Sequence, residues 1–208
     1  GYAVSITTYD ELKSSVADFL NRDDLTSVIP TFISLAEADM NRKLRHWRME
    51  RRSTAVLDTQ YSALPNDFME IVRIMITGTT SYRLELITHG ELADKRAANN
   101  TTGIPKFYAI IDGSIEVYPT PNDSYTLEMT YYSRIDALSA SVSSNWVVDY
   151  HPDAYLYGAL THSAPYLSED ARTHVWASLF QNAISGINME DDKAKSGGSG
   201  HRMRIRAF

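Results

Sequence analysis

Apolar residues in the first 45 positions recur at three- and four-residue spacing, the period of an amphipathic helix. Leu12, Val16 and Phe19–Leu20 predict a first helix. Thr8 opens it, with Glu11 three residues later at capping-box spacing. The polar run "NRDD" (21–24) ends it. Ile29, Phe32 or Ile33, Ala36, Met40 and Leu44 then form one apolar stripe, predicting a second helix from about Leu25 or Pro30 to Leu44. Two short helices joined by a polar turn form an antiparallel pair that must pack on something else.

Strand-like segments dominate the middle of the chain. "STAVLDT" (53–59) and "FMEIVRIMI" (68–76) read as strands on either side of the turn "LPNDF" with Pro65 and Asn66, and "SYRLELI" (81–87) alternates cleanly. Thr88 and Glu91 repeat the capping spacing and start a short helix, "ELADKRAA". "KFYAIIDGSIEVYP" (106–119) reads as a hairpin turning at Asp112-Gly113, "PTPNDS" as a second turn, and "YTLEMTYYSRI" (125–135) as a last strand. This predicts five or six antiparallel strands in a sandwich or a partly closed sheet.

Helical spacing then returns. His151 or Asp149 is the expected cap of a helix with Pro152 in its first turn and Tyr155, Leu156, Ala159 and Leu160 on its buried face. Pro165 and Ser168 break it. Ser168 is the expected cap of the next helix, with Glu169 and Asp170 in its first turn. Trp176, Leu179, Phe180, Ala183, Ile184 and Ile187 give that helix a stripe, and it should run to about Lys193. Gly197, Gly198 and Gly200 mark a hinge before "HRMRIRAF" (201–208). The fold class is therefore α+β. A helical bundle from both ends of the chain (1–49 and 141–194) carries an inserted antiparallel β-sheet or sandwich domain (50–140) and an extended C-terminal arm (195–208).

Composition narrows the chemistry. The net charge of -6 means the protein as a whole is not built to hold a polyanion. The absence of cysteine excludes disulfides, thiolate metal sites and cysteine nucleophiles. No run approaches the roughly 18–20 apolar residues of a membrane span. The opening "GYAVSITTYDELK" lacks a basic region followed by an apolar one, so no signal peptide is expected.

No catalytic, cofactor or metal residue is predicted. His151 with Asp153, and His162 with His174, lack the four-residue helical spacing of a metalloprotease site. There is no Gly-x-Ser-x-Gly elbow, and "HSAP" is no hydrolase signature. "SGGSG" follows a helix and lacks a Gly-Lys-Ser/Thr end, and "TTGIPKF" has one glycine, so neither cradles a nucleotide. Glu37 and Asp39, Asp67 and Glu70, Glu85, Glu128 and Asp149 are available as paired carboxylates for glycoside cleavage, and nothing singles out a pair.

Two basic stretches point to partners. In "NRKLRHWRMERR" (41–52), Arg42, Arg45, Arg48 and Arg51 stand three apart, beside His46 and Trp47. If the second helix continued through them, one face would be strongly basic. Such a stretch suits a helix end, an acidic protein partner or a phosphate backbone. In the tail, Arg202, Arg204 and Arg206 alternate with Met203, Ile205 and Ala207 before Phe208. That is the pattern of an arm that docks on a sheet edge, or of a solubilising tail. "NWVVDYHPDAYLYGAL" holds more aromatics than one helix stripe can bury. Trp146, Tyr155 and Leu156 fit a core, leaving Tyr150, Tyr157 and Tyr166 near a surface where aromatics favour contact.

Four stretches carry a family likeness: "PTFISLAEADMNRKLR" (30–45), "LPNDFMEIVRI" (64–74), "GIPKFYAIIDGSIEVYPTP" (103–121) and residues 145–195, "NWVVDYHPDAYLYGALTHSAPYLSEDARTHVWASLFQNAISGINMEDDKAK". Their order and coverage resemble the head-to-tail adaptor, or connector, proteins of short-tailed bacteriophages. The resemblance implies a non-enzymatic structural protein of the virion, assembled in the host cytoplasm. It implies a ring, usually of twelve copies, that bridges the portal protein to the tail nozzle protein and continues the DNA channel without sequence-specific binding. By position, residues 145–193 help build the helical ring and the β domain faces the tail. Residues 195–208 form the portal-docking arm, with Arg202, Met203, Arg204, Ile205, Arg206 and Phe208 as anchors. Arg42, Arg45, Trp47, Arg48, Tyr150, Tyr157 and Tyr166 are the candidate subunit-interface residues. Glu190, Asp191 and Asp192 are candidates for the channel lining. A subunit that waits for the portal is expected to be monomeric when free, its tail ordering on docking. Some similar adaptors also cleave peptidoglycan, and no residue here carries that over. The competing readings are a cell-wall hydrolase of the tail and a duplex DNA-binding module using Arg42 to Arg52.

Overall fold

A computed structural model describes residues 5–168 and 170–196. Glu169, the Gly197–Gly200 hinge and the arm residues Arg202, Met203, Arg204, Ile205, Arg206 and Phe208 lie outside the described residues. The chain divides into two compact units. One gathers the chain up to Arg48 and from Ile135 onward; the other is Met49–Arg134.

The first unit is helical. Helix α1 (Tyr9–Leu20) is capped by Thr8, whose hydroxyl accepts the Glu11 N–H at 3.2 Å. The Glu11 carboxylate reaches back to Thr7, one residue earlier than a standard capping box. Asn21 ends α1 in the left-handed region at φ 51. A 3-10 segment (Asp23–Val28) leads into α2 (Ile29–Lys43), with Pro30 near its start. Further on come α4 (Trp146–Tyr150), α5 (Pro152–His162), a 3-10 turn (Ala164–Tyr166) and α6 (Arg172–Ser196).

Helix α5 is the centre of this unit. Ala154, Tyr155, Leu156, Gly158, Ala159 and Leu160 are all buried, because α5 packs against α1, α2 and α6. Gly158 permits the closest approach: a Cβ there would lie 2.9 Å from the Ala36 Cβ and 2.9 Å from Phe180.

Three details correct the sequence reading of these helices. His151 holds the N-cap position of α5, though its side chain makes no capping bond, whereas Asp149 lies inside the short preceding helix α4. Asn145 opens α4, its side-chain oxygen accepting the Val147 and Val148 N–H groups at 3.0 Å each, and His151 is the break between α4 and α5. Helix α6 is opened by Asp170, not Ser168: its carboxylate accepts the Arg172 N–H at 2.9 Å. Helix α6 also continues to Ser196 instead of stopping near Lys193.

The second unit is built from strands β1 (Glu50–Leu57), β2 (Tyr61–Ala63), β3 (Phe68–Thr77), β4 (Tyr82–Arg83), β5 (Glu85–Leu86), β6 (Thr102–Gly103), β7 (Phe107–Ile111), β8 (Ser114–Tyr118), β9 (Thr120–Pro121) and β10 (Tyr125–Ser133), with helix α3 (His89–Ala98) among them. One sheet has the order β1-β10-β3-β4, a second β2-β8-β7-β5, and β6 pairs with β9. Leu57, Ile74, Ile76, Leu84 and Leu127 from the first sheet region meet Tyr108, Ile115 and Val117 from the second in one core. The β7–β8 hairpin turns at Asp112 (φ 47) and Gly113 (φ 70), the left-handed pair a two-residue hairpin needs.

Segment 81–87, read as one strand, is two. β4 pairs with β3, whereas β5 pairs with β7 in parallel. Leu84 sits between them, 1% exposed, with its N–H given to the Ile74 carbonyl. Burying that one side chain in the shared core moves the strand from one sheet to the other. The pairing is mainly antiparallel, with β5–β7 and β6–β9 parallel, which the sequence reading missed.

Candidate subunit-interface surface

The basic stretch after α2 does not form a helical face. Helix α2 stops at Lys43, and Leu44 turns extended and is buried. The backbone groups exposed beyond the helix end are taken up by side chains of α6. Asn188 accepts the Arg45 N–H at 3.1 Å and donates to the Lys43 carbonyl at 3.0 Å. Asp191 accepts the Trp47 N–H at 2.7 Å. Arg42, Arg45 and Arg48 therefore leave in different directions, and Arg51 belongs to β1 of the other unit. The continuous arginine stripe that duplex binding would use is absent.

His46 anchors the turn. It is wholly buried and stacks on Trp146 with ring centroids 4.9 Å apart at 20°. Its Nδ1 accepts the Arg48 N–H at 3.1 Å, which puts the proton of the neutral ring on Nε2. That Nε2 lies 3.4 Å from one oxygen of Glu190, and the Nε2 of His151 lies 3.4 Å from the other. Burial holds His46 below the ordinary histidine range, only partly offset by Glu190 and Asp191.

With the turn fixed, Trp47, Arg48 and Tyr150 form a stack at the surface. The Arg48 guanidinium lies 4.3 Å from the Trp47 ring and 4.0 Å from the Tyr150 ring. Trp47 is 42% exposed and Tyr150 57%. Arg48 makes no ion pair among the described residues, and its Nε is buried without a hydrogen-bond partner. A cation held between two aromatic faces, with N–H groups still to satisfy, is suited to a carboxylate arriving from outside.

The other interface candidates are differently placed. Arg42 pairs with Asp39. The Arg45 guanidinium turns back onto the Asn41 and Leu44 carbonyls at 2.8 and 2.6 Å, closing the end of α2. Tyr157 is half-buried on α5. Tyr166 is 49% exposed, near the start of α2. Its ring meets Phe32 edge-on at 5.3 Å, and its carbonyl accepts from Arg22 at 2.8 Å.

Of the proposed channel acids, Asp191 is buried and committed to Trp47 and to Lys195 at 3.3 Å, which removes it as a lining residue. Glu190 faces His46 and His151. Two of the carboxylates considered for acid–base work are already satisfied within the fold. Glu37 is buried, accepting the Leu138 N–H at 2.9 Å and the Tyr155 hydroxyl at 3.0 Å, and burial raises its pKa despite both bonds. For Asp39, burial pushes the pKa up, but His162 at 2.6 Å and Arg42 together bring it below the usual range. Among the described residues no group of three His, Cys, Asp or Glu side chains is placed to hold a metal ion. No helix among them is long and apolar enough to cross a membrane.

No curated protein matches the chain. The model of the family described as SU10 adaptor protein matches residues 7–204, so that the two helical ends, the β unit between them and most of the tail all fall within one match, and the chain belongs to this family of head-to-tail adaptors.

Proposed function

We propose that this chain acts as one subunit of a ring, of twelve copies, seated between the portal protein and the tail nozzle protein and leaving a passage for DNA that it does not read. The coarser statement follows from the family: the chain is a structural head-to-tail connector of the virion. In the finer reading, assembled in the host cytoplasm, the helical unit makes the subunit contacts, the β unit faces the tail, and residues 195–208 dock on the portal through Arg202, Met203, Arg204, Ile205, Arg206 and Phe208.

The observation that carries the subunit-contact part is the exposed Trp47–Arg48–Tyr150 stack. Trp, Tyr and Arg are the residue types that dominate protein–protein hot spots. Here a rigid turn, tied by Asn188 and Asp191, presents all three together. Alternating arginine and apolar residues in the tail suit an extended docking segment.

The test is electron microscopy of the protein mixed with its cognate portal, with and without residues 197–208. A ring on the portal that is lost with the truncated chain is the expected result. No ring with either folded form would sink the reading, and a ring formed equally by both would remove the arm from it.

A further inference from the structure

Four of the candidate interface residues fall into two groups at opposite ends of α2. Trp47, Arg48 and Tyr150 lie beyond its C-terminal end. Tyr166 lies beside its first turn, against Phe32. Fifteen residues of α-helix put the two ends about 22 Å apart. A ring closed by head-to-tail contacts requires two unlike surfaces on each subunit, each complementary to the other.

The surface at the N-terminal end of α2 has the complementary character. Phe19, at the end of α1, is 43% exposed and its carbonyl accepts from Arg172 at 2.8 Å, as the Tyr166 carbonyl accepts from Arg22. The same segments carry four aspartates, Asp18, Asp23, Asp24 and Asp170, and two arginines, Arg22 and Arg172. Arg22 is held by Asp24 at 3.0 and 2.5 Å, and Arg172 by Asp170 at 3.0 and 2.6 Å, each through two guanidinium nitrogens. Both cations are thus neutralised locally. Asp18, at the end of α1, and Asp23, at the start of the 3-10 segment, are exposed and make no ion pair among the described residues. Beyond one end of α2, an arginine between aromatic rings makes no ion pair among the described residues, Glu190 facing the two histidines and Asp191 being engaged by Trp47 and Lys195. Toward the other, the two exposed carboxylates of Asp18 and Asp23 make no ion pair among the described residues, the nearby Arg22 and Arg172 being engaged by Asp24 and Asp170.

From this complementarity we propose that Arg48, held between Trp47 and Tyr150, docks on Asp18 and Asp23 of a second copy, with Phe19 and Tyr166 of that copy packing against the exposed rings. The inference rests on the ring reading and names the pair of surfaces that close it. The same two surfaces on every subunit give a contact that propagates in one direction around the ring.

The test reverses charge on each side separately. The full-length chain, the Arg48→Glu variant and the Asp18→Lys/Asp23→Lys variant are each imaged with the cognate portal, and then the two variants together. Each variant alone meets itself with like charges, whereas an alternating mixture restores opposite charges at every contact. Rings from the unaltered chain, none from either variant alone, and rings from the mixture are expected. Rings from either variant alone, or none from the mixture when circular dichroism shows both folded, would overturn the pairing while leaving the ring reading in place. Absence of rings from the unaltered chain would instead overturn the ring reading, and the pairing with it.

Discussion

The carboxylate of Glu37 on α2 accepts the phenol hydrogen of Tyr155 on α5 at 3.0 Å, with both side chains buried. Asn145, which caps α4, donates to the same phenol oxygen at 2.6 Å and to the Asp136 carbonyl at 2.8 Å. One tyrosine thus ties α2 to the segment that leads into α4. Burial, the Glu37 charge and its hydrogen bond keep the Tyr155 proton in place well beyond the ordinary phenol range, although Asn145 acts the other way. Replacing Tyr155 with Phe removes a donor to a buried carboxylate and one of the two acceptors of the Asn145 amide nitrogen. The expected loss is about 1–3 kcal/mol of unfolding free energy, read from urea denaturation. In a double-mutant cycle with Glu37→Gln the two losses should not add. Simple additivity would mean that the bond contributes nothing of its own.

Two helical glycines should respond with opposite signs to the same substitution. At Gly158 an added Cβ would meet the Ala36 Cβ, which is fixed to the backbone of α2, at 2.9 Å. Gly158→Ala gains about 1 kcal/mol of helix propensity, but overpacking costs about 1–3 kcal/mol, so the net effect is a loss. Gly186 is exposed on α6, and a Cβ added there would have nothing within 4 Å outside its own turn of helix. Gly186→Ala should raise stability by about 0.5–1 kcal/mol. Thermal melts of the two variants give the comparison, and a stabilised Gly158→Ala would show that α2 and α5 separate without cost.

The elements that local chemistry decides were legible in the sequence. Thr8 and Thr88 cap α1 and α3 through the Glu11 and Glu91 N–H groups, and Asp112-Gly113 makes the hairpin turn. The alternation of helical and β segments gave the α+β class. Elements that depend on a distant partner were not legible. Alternation in 81–87 suggests one strand, and only the core position of Leu84 shows why it changes sheet. Arginines three apart in 42–51 suggest a helix face. What ends that helix is Asn188 and Asp191, more than 140 positions away on α6.

The surface was legible in part. Composition pointed to Trp47, Arg48 and Tyr150 because arginine and aromatics favour contacts, but it did not say that they stack on each other. The burial of His46 had no signal in the periodicity, because a histidine between arginines on one segment reads as solvated. Trp146, expected in the core, is half-buried and is the ring on which His46 stacks.

In the β unit, Arg96 on α3 is the tie to the second sheet. Its guanidinium donates to the Thr120 hydroxyl and the Val117 carbonyl, each at 2.7 Å, and lies 3.4 Å from the buried carboxylate of Glu116. Gln60 donates to Glu116 at 2.8 Å, and His89 lies 3.3 Å away. Removing the cation leaves Glu116 buried and undercompensated. Arg96→Met is expected to cost about 3–5 kcal/mol, and adding Glu116→Gln should recover part of the loss. Hydrogen exchange should show the cost in α3 and in β7–β8. Unchanged protection there would mean that α3 is held in place without Arg96.

The histidine turn predicts a pH dependence with a defined sign. His46 has its pKa lowered by burial, so the unfolded chain binds its proton more readily than the folded one. Stability from this group is complete above the ordinary value of 6.5 and is lost as pH falls through the lowered folded value. Glu190, Asp191 and His151 face the same ring. Glu37 acts in the opposite direction. Its raised pKa makes its contribution decline as pH rises above 4.5, so the total slope alone does not isolate the histidine. Comparison with His46→Gln does. Between pH 7.5 and 5.5, urea midpoints of the unaltered chain should fall more than those of the variant, while Trp146 fluorescence reports loss of the stack at the same pH. Equal slopes in the two proteins would show that the buried ring is not the group that titrates.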